Sequence, residues 1–187
     1  MNPNTPFILR KSEVGDLQRI NEIYNWAVLN SVATFDLEER TAEAAERWYH
    51  SHQDPYYPLL VVELNGEIAG WGSLSPFHTR PAYKQSGEFS IYIAPEWKGK
   101  RMGDALLQEL SSMAEHLGYH TLLGLITATN EASLCLARKH GFSESGRYRE
   151  VGRKFGHGFS ESGRYREVGR KFGQLLDVVV VQKIFEE

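Results

Sequence analysis

Cysteine and long apolar segments are what this chain most clearly lacks. Its 187 residues include one cysteine, Cys135, so no disulfide can form within the chain. No apolar run approaches the roughly 18 residues that a membrane-spanning helix needs, and the amino terminus has no secretory signal pattern. We therefore expect a cytoplasmic protein without a membrane partner.

A strong excess of one charge is also absent. The formal net charge is −3 and the sequence pI is about 6.2, so the chain has no global basic field of the kind that binds nucleic acid. His50 and His52 are two residues apart and would diverge on a helix, which makes them poor joint metal ligands. We predict neither a nucleic-acid partner nor a bound metal.

The apolar content, 41% of the residues, suffices for one core, and we predict that residues 1–187 form a single domain. Hydrophobic periodicity predicts strands and helices in mixed order. The predicted strands are 7–10, 59–64, 67–74, 88–93, 122–126 and 175–185, and the predicted helices are 17–28, 41–52, 102–117 and 130–139. Asp16, Thr41 and Asn130 are the expected helix caps. Asn65 and Gly66 predict a type I′ hairpin turn.

A tandem repeat interrupts the carboxy-terminal part of the chain. The seventeen letters HGFSESGRYREVGRKFG occupy residues 140–156 and again 157–173. A solenoid needs at least about three units, so a perfect pair indicates a recent duplication, natural or introduced. Two copies cannot occupy one strand position, and we expect one to pair in the sheet while the other is extruded, added at an edge or lent to a second chain. Local sequence does not decide which copy pairs.

The stretch WKGKRMGD, residues 97–104, places Gly99 and Gly103 among three cations between a predicted strand and a predicted helix. A Walker loop requires a Lys-Ser or Lys-Thr pair, which is missing here. A dinucleotide fingerprint requires G-x-G-x-x-G after the first strand of a βαβ unit, whereas this loop has G-x-x-x-G spacing and follows several predicted strands. The third alternative is a loop whose backbone amides, next to a helix amino terminus, wrap a pyrophosphate such as that of coenzyme A.

Two segments, in order along the chain, resemble the GNAT superfamily of acyl-CoA-dependent N-acetyltransferases. SIYIAPEWKGKRMGDALL is similar to the core motif Arg/Gln-x-x-Gly-x-Gly/Ala, with Lys98 in the first place, Arg101 in place of the first glycine and Gly103 in the last. NEASLCLARKHGF, residues 130–142, is similar to the second signature. The resemblance implies an α/β (α+β) domain with a mixed, mostly antiparallel central sheet flanked by helices, and acetyl-CoA as co-substrate.

Finer resemblance points to the phosphinothricin and methionine sulfoximine acetyltransferase branch and covers essentially the whole chain. It lies in IYNWAVLNSVATFD, RPAYKQSGEFSIYI and VGRKFGQLLDVVVVQ, residues 23–36, 80–93 and 168–182. Two positions depart from the branch. Leu175 stands where relatives usually carry Trp, and Ala137 stands where many keep a Tyr or His, which removes a proton donor. The resemblance also implies a homodimer.

Site residues follow from matching these motifs position by position. Glu88 is the expected general base, with a pKa raised by partial burial; the alternative is a structural ion pair with a cation such as Arg80. The expected coenzyme-binding residues are Ile91, Tyr92, Ile93, Lys98, Gly99, Lys100, Arg101, Met102, Gly103, Asp104 and Asn130. The expected substrate-binding residues are Thr34, Phe35, His78, Thr79, Arg80, Tyr83 and Glu88.

Several of these residues have simpler alternatives. Arg80 is expected to hold an anionic group of the substrate, because a guanidinium binds a carboxylate or phosphinate in bidentate fashion. Ordinary loop packing is the alternative for the neighbouring substrate residues. Asn130 can serve as a helix cap alone. Cys135 is expected to be a small core residue and not a nucleophile.

We therefore predict an enzyme that transfers acetyl from acetyl-CoA to the amino group of a small amino-acid-like substrate, of the phosphinothricin or methionine sulfoximine type. The acetyl group would pass by direct attack in a ternary complex. The alternatives are an N-acetyltransferase for protein amino termini or another amine, and a catalytically silent acyl-CoA-binding or assembly module. The physiological amine stays open, because fold and branch do not name it.

Overall fold

Eight strands and four α-helices make up the part of the chain that the structure describes. The structure is a computed structural model, and it describes residues 7–152, 170–171 and 174–185. The strands are β1 (Ile8–Lys11), β2 (Leu59–Leu64), β3 (Glu67–Pro76), β4 (Ser86–Ile93), β5 (Thr121–Thr127), β6 (Ser143–Gly152), β7 (Arg170–Lys171) and β8 (Gln174–Ile184). The helices are α1 (Leu17–Asn30), α2 (Ala42–Ser51), α3 (Met102–His116) and α4 (Glu131–Lys139). All ten predicted segments are present.

Seven strands form a continuous mixed sheet in the order β1-β2-β3-β4-β5-β8-β6, and β7 pairs with β8 beside this path. Among the described strands, β4 and β5 are the one parallel pair, and their connection contains α3, as a parallel crossover requires. All other neighbours are antiparallel. The expected mixed, mostly antiparallel sheet flanked by helices is confirmed. No helix in the described ranges is long and apolar enough to cross a membrane.

Different helices cover the two faces of the sheet. On one face, α3 and α4 pack against the sheet around Leu110 and Leu122, which are fully buried. On the other face, α1 and α2 pack around Ile20 and Trp71. The two apolar layers hold the sheet between them, because alternate residues of each strand point to opposite faces.

The alternation in β4 is the part of this pattern that matters for the site. Phe89, Ile91 and Ile93 pack into the layer under α3, and Tyr92 packs into the layer under α1 and α2. Glu88, which is an even number of residues from Tyr92, shares its face. The predicted division of β4 into two faces is confirmed.

The hairpin between β2 and β3 has the predicted turn. Leu64 pairs with Glu67 across it, and Asn65 and Gly66 have φ angles of 53° and 81°. Positive φ at both central residues defines the type I′ turn, whose twist matches that of the flanking strands. The hairpin places β3, which lines the site, between β2 and β4.

Two of the three predicted helix caps are confirmed. Thr41 Oγ1 accepts a hydrogen bond from the Ala44 amide at 3.2 Å and begins α2. Asn130 accepts one from the Ser133 amide at 3.3 Å and begins α4. Each side chain satisfies one of the amides that a helix leaves without an acceptor in its first turn.

Two sequence-based expectations are wrong. Asp16 does not cap α1, because its carboxylate accepts hydrogen bonds from the Arg10 guanidinium at 2.6 and 2.9 Å and from the Glu13 amide at 2.8 Å. A charged partner on β1 competes successfully with the helix end. Cys135 is exposed instead of lying in the core, since α4 turns Leu134 towards the sheet.

The first copy of the repeat supplies β6. Its last described pair with β8 is Gly152 with Leu176, and the next position along β8, Leu175, pairs with Arg170 of the second copy. Residues 153–169, one repeat length, lie between these successive partners and outside the described residues. The pairing of β8 with the repeat therefore continues in register from the first copy to the second. The remaining residues of the second copy lie outside the described residues.

Candidate active site

β4 and β5 part halfway along their length. Their parallel pairing ends at Glu88 and Leu123, although β4 continues for five more residues and β5 for four. A Cβ atom at Gly124 would lie only 2.5 Å from the ring of Phe89, so this ring packs directly over Gly124 of β5. Residues 89–93 of β4 therefore present a backbone edge towards β5 that has no strand partner among the described strands, and such an edge can bind an extended ligand.

Three of the predicted coenzyme residues lie on this unpaired edge. Ile91 and Ile93 pack their side chains towards α3, and Tyr92 packs towards α1. Because the side chains are committed to the two apolar layers, it is the backbone of this segment that faces the opening between the strands.

Glu88 is a half-buried carboxylate at the point where the strands part. Among the described residues it has no ion pair and no hydrogen-bond partner, so the alternative of a structural pair with Arg80 is wrong. Burial raises the pKa of Glu88 above its ordinary value of 4.5. Ser75 lies opposite Glu88 on β3. A carboxylate of this kind is suited to accept a proton from a ligand.

The loop between β4 and α3 has two residues in the left-handed region. Gly99 has a φ of 77° and Arg101 a φ of 61°, a conformation that glycine adopts at no steric cost. Arg101 occupies the place of a glycine in the motif that the sequence resembles. The structure shows that the arginine keeps the backbone conformation that a glycine would favour, so the substitution does not change the course of the loop.

α3 begins directly after this loop with unpaired backbone amides. The first backbone hydrogen bond of the helix runs from the Ala105 amide to the Arg101 carbonyl at 3.1 Å. The amides of Met102, Gly103 and Asp104 therefore have no acceptor within the helix. Together with the positive end of the helix dipole they form a natural anion site.

The three cations of the loop are exposed beside these amides. Lys98 Nζ lies 4.8 Å from the centre of the Trp26 ring, and Lys100 Nζ lies 4.1 Å from that of Trp97. Arg101 forms no ion pair among the described residues. Free amides, a helix amino terminus and unpaired cations fit the diphosphate of coenzyme A.

Two other predicted coenzyme residues already have protein partners. Asp104 accepts hydrogen bonds from Lys139 Nζ at 2.6 Å and from His140 Nε2 at 2.8 Å, and these hydrogen bonds, the one from Lys139 first, hold the pKa of Asp104 below its usual range. This contact ties the first turn of α3 to the end of α4. Asn130 is the cap of α4. A contact of either residue with the coenzyme stays a prediction.

A cavity of about 220 Å³ lies on the α1 and α2 face of the sheet. Its walls include Tyr24, Arg40, Trp48, Ser75 and Ser90. Ser90 is the next residue after Glu88 on this face of β4, and Ser75 pairs with Glu88 from β3. The cavity is therefore adjacent to the candidate base, and a ligand could extend from one to the other.

One predicted substrate residue of the α1–α2 connection contacts the cavity wall. The Tyr24 hydroxyl, in the cavity wall, is 3.2 Å from Thr34 Oγ1 and donates a hydrogen bond to the Asp36 carboxylate. Phe35, the next residue after Thr34, is half-buried and is not part of the cavity lining. A role of either residue in substrate binding stays a prediction.

The predicted substrate residues of the β3–β4 connection lie elsewhere. All four, His78, Thr79, Arg80 and Tyr83, are exposed, and none lines the cavity. The rings of His78 and Tyr83 are 4.9 Å apart, and the Arg80 amide donates to His78 Nδ1 at 3.1 Å. The connection leaves the sheet after the pair Pro76 and Gly87, next to Glu88, so a role in binding stays a prediction.

Sequence reasoning missed Arg40, which lines the cavity. It stands in the acidic stretch FDLEER, which has the composition of an exposed loop. One signal was present in the sequence. Arg40 precedes the predicted cap Thr41, and a cation is unfavourable at the positive end of a helix unless another contact holds it there.

Parted strands, a helix start with free amides beside three cations, and a half-buried carboxylate are the features expected of an acyl-CoA-dependent acetyltransferase. A family model described as "Acetyltransferase (GNAT) domain" matches residues 9–162. The chain therefore belongs to the GNAT family of acetyltransferases. It uses acetyl-CoA as co-substrate for N-acetylation. Within the described ranges, no group of three or more His, Cys, Asp or Glu side chains could hold a metal ion.

Relatives and solved structures agree with this assignment. The chain is 38% identical over 149 residues to the YwnH protein of Bacillus subtilis (strain 168), covering 79% of this chain and 91% of that protein. It is 34% identical over 150 residues to an L-methionine sulfoximine/L-methionine sulfone acetyltransferase of Salmonella typhimurium, covering 79% and 86%. A GNAT superfamily phosphinothricin acetyltransferase from Sinorhizobium meliloti, solved in complex with acetyl-CoA, superposes with a TM-score of 0.82 at 32% identity, covering 97% and 89%.

Proposed function

We propose that this enzyme acetylates the amino group of a small amino-acid-like substrate of the phosphinothricin or methionine sulfoximine type, by direct attack in a ternary complex. The observation that supports this most is Glu88, a half-buried carboxylate without a partner among the described residues, located where β4 leaves β5 and beside a cavity. The names of the relatives support the substrate type.

Glu88 prepares the acceptor for attack. An amine attacks a thioester only as the neutral base, and an α-ammonium is mostly protonated at pH 7. Glu88 accepts that proton, directly or through a water molecule. Burial raises the pKa of Glu88 towards the working pH, which makes the carboxylate a better proton acceptor than an exposed glutamate.

The backbone supplies the rest of the machinery. Acetyl-CoA brings the activated acyl group, and amides of the α3 start, with Lys98, Lys100 and Arg101, hold its diphosphate. An amide of the unpaired β4 edge over 91–93 donates to the oxygen that becomes negative during attack. Ala137, which is fully buried, has no group that could protonate the leaving thiolate.

The proposed substrate contacts come from two connections. The α1–α2 connection contributes Thr34, which contacts Tyr24 of the cavity wall, and its neighbour Phe35. The β3–β4 connection contributes the exposed set His78, Thr79, Arg80 and Tyr83. This connection leaves the sheet at Gly87, next to Glu88, and the cavity reaches Ser90 on the other side of Glu88 along β4.

A substrate screen tests the proposed function. Purified enzyme is mixed with acetyl-CoA and with phosphinothricin, methionine sulfoximine or a peptide with a free amino terminus, and release of free thiol is followed. We expect saturable turnover with one or both of the amino-acid analogues. Turnover with the peptide alone would favour the protein amino-terminus alternative. Calorimetric binding of acetyl-CoA without turnover of any acceptor would favour the silent module.

We also propose a homodimer in the cytoplasm. The proposal of a dimer rests on the resemblance to the branch, and that of the compartment on the single cysteine. Size-exclusion chromatography with light scattering measures the mass of the assembly. A mass equal to that of one 21.3 kDa chain at micromolar concentration would contradict the dimer.

A further inference from the structure

Two asparagines of α1 hold Arg40 in place. The Arg40 amide donates to Asn25 Oδ1 at 2.8 Å, and its Nε donates to Asn21 Oδ1 at 2.8 Å. Both asparagine side chains donate back to the Arg40 carbonyl, at 2.9 and 3.0 Å. With its backbone and Nε fixed, the guanidinium is positioned before any ligand arrives, which lowers the entropy lost on binding.

Two aromatic rings fix the plane of the guanidinium. Its central carbon lies 4.5 Å from the centre of the Tyr24 ring and 4.3 Å from that of Trp48. Both distances are within the range of a cation–π contact. Both rings pack against the central carbon, and the hydrogen bonds of the guanidinium form at its nitrogens.

One nitrogen of this guanidinium, Nη2, lacks an acceptor among the described residues. Arg40 Nη2 is buried and has no hydrogen-bond partner, and Arg40 forms no ion pair among the described residues. Asp36, the carboxylate in the cavity wall, instead accepts from the Tyr24 hydroxyl. Buried arginine nitrogens are normally paired, so an orphaned one in a cavity wall indicates an acceptor that comes with a ligand.

The cavity leads from Arg40 towards the candidate base. Between them its wall consists largely of neutral hydroxyl groups, including those of Ser73, Ser75 and Ser90. Ser90 is two residues from Glu88 on β4, about 7 Å along the strand. A small zwitterion could therefore place a negative group on Arg40 and extend its amine towards Glu88.

We propose that Arg40, and not the exposed Arg80, binds the oxyanion group of the acceptor, a carboxylate or phosphinate, inside this cavity. The proposal rests on the proposed function, because it assumes that the acceptor's amine reaches Glu88. Arg40 is thus a specificity-determining residue, which would favour acceptors that carry a negative group at one end and an amine at the other.

Arg40→Met tests the assignment against Arg80→Met, and Arg47→Met is the matched control, because Arg47 is an exposed arginine of α2 that does not line the cavity. Losing a charge-assisted hydrogen bond to the acceptor should raise the KM for phosphinothricin about 10- to 100-fold in Arg40→Met, with the KM for acetyl-CoA unchanged. Arg47→Met should change both KM values by less than about twofold, and Arg80→Met should raise the KM for phosphinothricin less than Arg40→Met does. Arg40→Lys keeps the charge and loses the planar fork, and it should fall between Arg40→Met and the parent. A raised KM in Arg80→Met with a normal one in Arg40→Met would overturn the proposal.

Direct binding separates a failure of this proposal from a failure of the proposed function. Trp48 and Trp71 line the cavity, so their fluorescence should change as ligand binds, whether or not turnover follows. Three probes are compared. Phosphinothricin carries a carboxylate and a phosphinate, methionine sulfone carries the α-carboxylate as its one anionic group, and the amide of methionine sulfone carries no anionic group. We expect the two anions to bind the parent at least 10-fold more tightly than the amide does, and the stronger response to Arg40→Met identifies which oxyanion Arg40 holds. Equal binding of all three to the parent would refute the proposal even if Arg40→Met did not fold.

Discussion

At the scale of single residues, the burial of Glu88 favours catalysis and opposes folding. Burial raises the pKa of Glu88 above 4.5, so the folded chain holds this proton more tightly than the unfolded chain. The stability that this tighter proton binding contributes is fully present below the pKa that Glu88 has in the unfolded chain. It is lost as the pH rises through the higher pKa that Glu88 has in the folded chain. Glu88→Gln is neutral throughout and should therefore melt at a higher temperature than the parent at pH 7 to 8.

Thermal denaturation of Glu88→Gln and parent across a pH series measures this difference. The gap between the melting temperatures should shrink towards zero near pH 4, where the parent carboxyl is protonated in both states. A variant that is less stable than the parent at pH 8 would show that Glu88 has a stabilising partner that the structure does not reveal.

The left-handed backbone conformation of Arg101 has consequences for stability and for coenzyme binding. A side chain in the left-handed region costs roughly 1 kcal/mol relative to glycine, and Arg101 has a φ of 61°. Arg101→Gly should therefore leave the free energy of unfolding unchanged or raise it by up to about 1 kcal/mol, while it weakens the affinity for acetyl-CoA. Lys100→Gly removes the same charge from a residue without a positive φ, and it should destabilise. Denaturant unfolding and calorimetry measure both quantities; equal destabilisation by the two changes would contradict the assignment of strain.

At the scale of elements, the packing of β4 against β5 beside the opening leaves no room for a side chain at Gly124. A Cβ there would meet the Phe89 ring at 2.5 Å and Val181 at 3.1 Å. Gly124→Ala should therefore displace Phe89, lower the free energy of unfolding by about 1–3 kcal/mol and raise the KM for acetyl-CoA. Gly146→Ala is the matched control, because a Cβ at Gly146 meets nothing within 4 Å. Similar losses of stability in both variants would show that glycine flexibility, and not the Phe89 contact, is responsible.

Much of β4 and of the loop that follows it could be predicted from the sequence, because the patterns that specify them lie within these segments. The alternation of β4 predicted that Glu88 and Phe89 lie on opposite faces, and the glycine-basic loop predicted an anion site at the start of α3. The end of the β4–β5 pairing could not be predicted in this way. The last pair joins Glu88 to Leu123, which lies 35 positions later and comes close only through the tertiary fold.

Arg40 was missed and Asp16 was misjudged for the same reason. The surroundings of Arg40 in the chain are acidic and polar, which indicates an exposed loop, whereas its actual partners are Asn21 and Asn25 on α1 and two aromatic rings. Asp16 has the type and spacing of a cap, but Arg10 on β1 binds its carboxylate. Contacts between separate elements decided both cases, and periodicity does not encode them.

At the scale of the whole molecule, the duplication should be dispensable. The hairpin register passes from Gly152 to Arg170 without a break along β8, and removal of residues 157–173 leaves one complete copy in the same register. We expect this deletion to keep kcat/KM within about twofold and to leave the free energy of unfolding equal or higher by on the order of 1 kcal/mol, since a shorter connection is closed at lower entropic cost. Loss of folding or activity would show that the second copy supplies part of the site.

The assignment of Glu88 as the base is tested by the pH dependence of a single turnover, compared between Glu88→Gln and the parent. Both enzymes carry bound acetyl-CoA and are mixed with the acceptor that the substrate screen identifies. The parent rate should fall as pH drops through the raised pKa of Glu88, because the protonated carboxyl cannot accept the ammonium proton. The variant should be slower by about 100-fold or more at pH 7 and should lack that inflection. A variant that matches the parent in rate and in pH profile would contradict the assignment of Glu88 as the base.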